Sequence, residues 1–139
     1  MIGKRIYSGS PFEEMAGYAR AVVDGEMIYV SGTTGFNVET LSFAPDVESQ
    51  CEQCFANIEA ALKQADSGLD CMLRVCVFVT TREEFERIKP IIKKHCDASR
   101  PANTTILCEL ATEEMRVEVE VTAKKRPAGQ FGNQGGNQA

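Results

Sequence analysis

Residues 71–96, CMLRVCVFVTTREEFERIKPIIKKHC, change their hydrophobic period in mid-course. Cys71 to Thr80 is apolar and β-branched, which predicts a strand with Leu73, Val75, Val77 and Val79 on one side. Beyond it, Phe85, Ile88, Ile92 and Cys96 recur at three- and four-residue spacing, the buried stripe of a helix. Thr81 with Glu84 forms the capping box that opens this helix. Pro90 falls inside the pattern and predicts a kink or an interrupted first half, because proline brings no N–H to the helical ladder.

Upstream, Val47, Cys51, Cys54, Phe55, Ile58, Leu62 and Ala65 predict a helix from about Asp46 to Ala65, capped by Asp46 and closed by Asp66-Ser67-Gly68. Further back, Lys4 to Ser8 reads as a short edge strand, followed by a loop with Ser10 and Pro11. Tyr18 to Asp24 and Glu26 to Ser31, separated by Gly25, read as a β-hairpin, with Gly32 ending its second strand and residues 33–45 in a loop. Downstream come strands over 103–110 and 115–124. The second alternates cleanly, with Met115, Val117, Val119, Val121 and Ala123 opposite Arg116, Glu118, Glu120 and Thr122.

The order β-β-β-α-β-α-β-β predicts an α+β fold, a mixed sheet with both helices on one face by right-handed crossover. The other face is left uncovered, and self-association is the economical way to cover it. Residues 1–126 form the expected domain, and the Gly/Gln/Asn-rich tail 127–139 is expected to be disordered.

Composition narrows the function. A hydrophobic fraction of 43%, a charged fraction of 25% and a net charge of −5 describe an ordinary globular chain without a nucleic-acid binder's electrostatic footprint. No apolar run approaches membrane-spanning length, and no signal-peptide pattern follows Met1, so a cytoplasmic location with reduced cysteines is expected. Cys51-x-x-Cys54 lies on an apolar helical stripe, not in the turn of a zinc ribbon or at the helix N-terminus of a redox motif. His95 and Cys96 are adjacent on a helix and point about 100° apart, so they make no nucleophile and base; His95 reads as a cap at the helix C-terminal end. Neither a metal nor a cofactor is expected.

What remains is polar residues at strand ends: Tyr18 with Arg20, Ser31-Gly32, the segment Arg100 to Thr105, and Glu118 with Glu120. Cross-strand pairing of Arg with Glu on a solvated face explains each about as well as a site does.

Taken together, Gly17-Tyr18-Ala19-Arg20-Ala21-Val22, Tyr29-Val30-Ser31-Gly32-Thr33, the 50–61 stretch with Asn57-Ile58, Val77-Phe78-Val79-Thr80, and Arg100-Pro101-Ala102-Asn103-Thr104-Thr105 leading to Val117–Val121 resemble the Rid/YjgF family, also called L-PSP endoribonuclease-like. The resemblance covers the chain to about Lys125. It implies a chorismate-mutase-like α+β fold and a homotrimer with clefts between subunits. It also implies a cofactor-free hydrolysis of enamines and imines to a 2-keto acid and ammonia. By the same resemblance Tyr18, Ser31 and Gly32 bind substrate and Glu118 positions the attacking water. The family's carboxylate-binding arginine falls on Asn103, an amide that forms no bidentate charge-assisted pair. The positive charge is then expected from Arg20, with Arg100 second, and backbone N–H groups near Gly32 and Thr105 would hold the reacting end. A binding module without turnover is the alternative, and a ribonuclease or translation inhibitor the weaker one.

Overall fold

The computed structural model describes residues 1–128. Alternating apolar residues build a six-stranded sheet from β1 (Lys4–Ile6), β2 (Ala21–Asp24), β3 (Met27–Thr34), β6 (Met72–Val79), β7 (Ala102–Leu107) and β8 (Val117–Lys124). Their order is β1-β2-β3-β8-β6-β7, antiparallel throughout except for the parallel pair β6–β7. A separate two-stranded ribbon pairs β4 (Phe36–Asn37) with β5 (Ser42–Phe43). The α+β class and the mixed sheet are as expected.

Strand β8 holds the centre. Val117, Val119, Val121 and Ala123 are buried toward helix α2 (Val47–Gln64), which packs on β3 and β8. Helix α3 (Arg82–Cys96) packs on β6 and against α2. Phe55, Ile58 and Leu62 of α2 and Ile88 of α3 fill the layer between, each worth about 1.5–3 kcal/mol of apolar burial. Asp46 accepts a bond from Ser49 N–H at 2.9 Å and Thr81 one from Glu84 N–H at 3.1 Å, so both expected caps form. The β2–β3 hairpin turns on two residues, with Gly25 at φ 62°, a conformation only glycine adopts without strain.

The structure departs from the sequence expectations at several places. Gly32 does not end β3, which runs on to Thr34; two stretches of the expected 33–45 loop pair as β4 and β5; and β8 begins at Val117, not at 115. Leu73 does not share the inner face with Val75, Val77 and Val79: the β6–β8 register shifts between Met72 and Arg74, which buries Met72 and leaves Leu73 48% exposed. Pro90 interrupts nothing. It lies on the exposed side of a continuous α3, where water can satisfy the carbonyl it leaves without a donor. Residues 11–16, expected as loop, form a short helix α1 (Pro11–Ala16). Ser10 caps it through Phe12 N–H, Pro11 opens it, and Gly17 closes it at φ 76°. Finally, β2 and β7 are shorter than expected, so Tyr18 and Arg20 lie just ahead of β2. The expected tail disorder falls, from residue 129 on, outside the described residues.

Candidate functional site

Arg20 is a buried and heavily hydrogen-bonded side chain. It is 6% exposed, and four of its five N–H donors are taken. Nε donates to Glu13 Oε2 at 3.1 Å, Nη1 to Gly32 O at 2.8 Å and Thr33 Oγ1 at 2.9 Å, and Nη2 to Tyr18 OH at 3.3 Å. Its guanidinium carbon also lies 5.4 Å from the Tyr18 ring centroid. Glu13, on α1, is itself buried and accepts from Ser8 N–H at 3.1 Å and Ser8 Oγ at 2.5 Å.

A bulge makes this arrangement possible. Between Val30 and Thr33 strand β3 carries one residue more than β8. The Gly32 carbonyl turns from the ladder to Arg20, and Ser31 Oγ donates to Ala19 O at 2.7 Å. The Glu118 carboxylate then fills the space over Gly32, where a Cβ would collide with it. Gly32 is needed for this close approach.

Glu118 and the Arg20 cluster meet at a cavity of about 400 Å³. Its walls are apolar: Phe12 and Met15 of α1, Phe36, Val38, Ala111 and Met115. Phe12 meets Phe36 edge to face at 5.0 Å. Two amides of α2 pin the surrounding loops. Asn57 Nδ2 donates to Thr34 O at 3.1 Å and Phe36 O at 2.9 Å, and buried Gln50 Nε2 donates to Ala44 O at 2.7 Å and Glu114 O at 2.9 Å. Burial raises the pKa of Glu118 above the ordinary carboxylate value; Arg20 pulls it down and neighbouring Glu120 pushes it up.

Of the residues singled out from sequence, Tyr18, Arg20, Gly32 and Glu118 surround this one cavity, and Ser31 lies one residue outside its lining. Arg100, Asn103 and Thr105 lie elsewhere in the chain. Arg100, at φ 50°, has an 81% exposed side chain and a partner, Asp97, only at 4.0 Å. Together with Asn103 it borders a separate depression by Lys93 and Cys96, while Thr105 Oγ1 donates to Asn103 Oδ1 at 3.1 Å. Register makes the separation firm. Asn103 pairs with Val75 and Thr105 with Val77, on the helix-covered face, while Glu118 pairs with Phe78 on the opposite face. Glu13, which neutralises Arg20, is not among the residues that sequence singles out, nor are the apolar walls. Ser10-Pro11 ahead of Glu13 and Gly17 behind it are the signals of the helix that carries it.

The other candidates have packing roles. Cys51 and Cys54 are fully buried, which pushes the Cys51 thiol up to about 12 and that of Cys54 well above its ordinary value. Cys54 Sγ faces Val117 O at 3.8 Å. His95 does not cap α3; its Nε2 bonds Glu52 Oε1 of α2 at 2.7 Å and its ring stacks on Phe55 at 4.7 Å. Among the described residues no three His, Cys, Asp or Glu side chains converge as a metal site requires, and no helix is long and apolar enough to cross a membrane.

Comparison with known proteins fits this architecture. The Endoribonuclease L-PSP family model matches residues 9–125. An uncharacterized protein of Streptomyces coelicolor is 30% identical over 121 residues, covering 86% of this chain and 90% of its own. A 2-iminobutanoate/2-iminopropanoate deaminase of Dermatophagoides farinae is 27% identical over 122 residues, covering 86% of this chain and 95% of its own. Among solved structures, the Mycobacterium tuberculosis protein Rv2704, a member of the YjgF/YER057c/UK114 family, superposes with a TM-score of 0.77 at 28% identity, covering 87% of this chain and 98% of its own. By the family-model match over residues 9–125 and these relatives, the chain belongs to the Endoribonuclease L-PSP family, the Rid/YjgF family.

Proposed function

We propose that the chain is a cofactor-free deaminase that hydrolyses a small imine or enamine at the Glu118 cavity. The observation that carries this is a half-buried carboxylate of raised pKa over Gly32, facing an apolar hollow large enough for a small molecule. The relative that bears the name 2-iminobutanoate/2-iminopropanoate deaminase supports the reaction class.

The steps balance without an added reagent. A water held by the Glu118 carboxylate attacks the carbon of the protonated imine, and the carboxylate takes one of its protons. The C=N π electrons move to nitrogen, giving a neutral carbinolamine. Glu118 then returns the proton to nitrogen; the C–N bond breaks as the hydroxyl oxygen forms the C=O bond and gives its proton back to Glu118. The carbonyl compound and ammonia leave, the ammonia finally taking that proton as ammonium. A carboxyl of raised pKa is suited to both halves, because it holds and gives up a proton closer to neutral pH. An enamine enters the same sequence once its carbon is protonated to the imine.

Assembly is part of the same proposal. Strand β7 is an edge strand, and Ile106, Leu107, Tyr29 and Leu73 are exposed apolar side chains, so a homotrimer would cover surface that a single chain leaves in water. In such a trimer Asn103 and Thr105 of a second copy would approach the cavity, since those of the same chain lie on the wrong face. A stable monomer by light scattering would remove them from the site. Six free thiols are compatible with a cytoplasmic location.

The test generates an imine in situ with a flavin oxidase and follows release of the carbonyl product. Catalysed release above the spontaneous rate is expected. Binding to the cavity with no acceleration for any imine would leave a non-catalytic metabolite-binding protein instead.

A further inference from the structure

We infer that the substrate of the Glu118 cavity carries no carboxylate: it is a neutral or cationic imine on an apolar body, the kind formed from a primary amine rather than from an amino acid. This rests on the deaminase function proposed above and names the substrate class of that same site.

The charges around the cavity point this way. Arg20 and Glu118 are the charged side chains that line it. Arg20 is already paired with Glu13, a carboxylate that is 4% exposed and held by Ser8 as well. A substrate carboxylate would find one free N–H on Arg20, not the two parallel donors of a bidentate pair. Taking more would strip Glu13 of its partner inside the protein. The same carboxylate would also lie in a cavity whose remaining charge is that of Glu118, which repels it. An amide at position 103, were a second copy to bring it near, adds no charge.

An iminium, in contrast, is attracted to Glu118 and needs nothing from Arg20. Its carbon skeleton meets Phe12, Met15, Phe36, Val38 and Met115, walls that reward apolar area. Met15 and Met115 are unbranched and adapt to bodies of different shape. Arg20 then serves as a positioning residue that fixes Tyr18, Gly32 and α1, and not as the anion anchor.

Matched imines separate the possibilities. A flavin amine oxidase acting on 2-phenylethylamine gives a carboxylate-free imine; an amino-acid oxidase acting on phenylalanine gives the same body with a carboxylate. Propylamine and 2-aminobutyrate give a smaller pair by the same enzymes. Semicarbazide competes with the protein for each imine, and the fall in early semicarbazone formation reports catalysed hydrolysis. The carboxylate-free partner is expected to be hydrolysed about tenfold to a hundredfold more efficiently within a pair, the loss that goes with a missing charge-assisted contact. Glu118→Gln, which removes the catalytic group, should bring both members of each pair down to the spontaneous rate. Equal or faster turnover of the imino acids would overturn the substrate class and leave the deaminase standing. No acceleration in either pair would overturn both.

Discussion

Arg20, at the wall of the Glu118 cavity, and Arg100, at the mouth of edge strand β7, carry the same charge in opposite surroundings. The first is buried, tied by four hydrogen bonds and neutralised by Glu13; the second is 81% exposed, with one distant partner. Neither offers a ready guanidinium to an anionic ligand in front of Glu118. Arg20 has the position without the free charge, and Arg100 the free charge without the position. The contrast teaches that a residue type in the right stretch of sequence is not yet a binding group, since its partners decide what it has left to give.

The largest effect should come from splitting the buried pair. Glu13→Gln leaves Arg20 uncompensated in the interior and is expected to cost about 3–5 kcal/mol in urea unfolding, with Arg20→Met costing a similar amount. The double variant should lose clearly less than the sum, because it removes both charges together. Additive losses would mean that the two groups do not depend on each other. Next in size, Gly32→Ala should drive the Glu118 carboxylate off its seat: about a hundredfold in imine hydrolysis, as for a catalytic group misplaced by about an ångström. Its stability cost should be small, within about 0.5 kcal/mol, because the colliding group is the movable end of the Glu118 side chain. Full activity in that variant would show that the seat over Gly32 is not the working position.

A smaller effect concerns pH. Burial raises the native pKa of Glu118, so the native state takes up its proton at a higher pH than the unfolded chain does. Above the native pKa the ionised, partly desolvated group therefore lowers stability, and that cost disappears as pH falls through the native pKa. Glu118→Gln should accordingly raise Tm at neutral pH, and the gain should shrink on acidification; a gain that grows instead would reverse the assigned direction. The smallest effect completes the comparison. Arg100→Ala should change stability by no more than about 0.5 kcal/mol, as an exposed residue with a loose ion pair should.

Within single elements the sequence is informative. The alternation of Val117 to Ala123 becomes the buried row of β8, the three- and four-residue spacing of Val47 to Leu62 becomes α2, and the Gly25 turn becomes the hairpin. Relations between elements are much less visible. The bulge that exposes Leu73 depends on how β6 lies beside β8, which its own residues do not encode. Asn103 and Glu118 fall on opposite faces because they pair with Val75 and Phe78, which point to opposite sides of β6. Alternation within β7 or β8 says nothing about that parity. Helix α1 has only six residues, too few to display a period, and its signals are the caps Ser10 and Gly17. The ion pair it supplies to Arg20 therefore has no signature beyond the presence of both residue types. Sites assembled from strand ends and short loops share this property: their chemistry is written locally and their geometry is not.

In the proposed reaction Glu118, seated over Gly32 in an apolar cavity, moves the proton. The most direct test of that role is the hydrolysis rate of Glu118→Gln beside the unmodified chain, with urea unfolding run on both. A loss of about a hundredfold to ten-thousandfold in rate, with a stability no lower than that of the unmodified chain, is the expected result. Retention of the rate in a folded Glu118→Gln protein would contradict it.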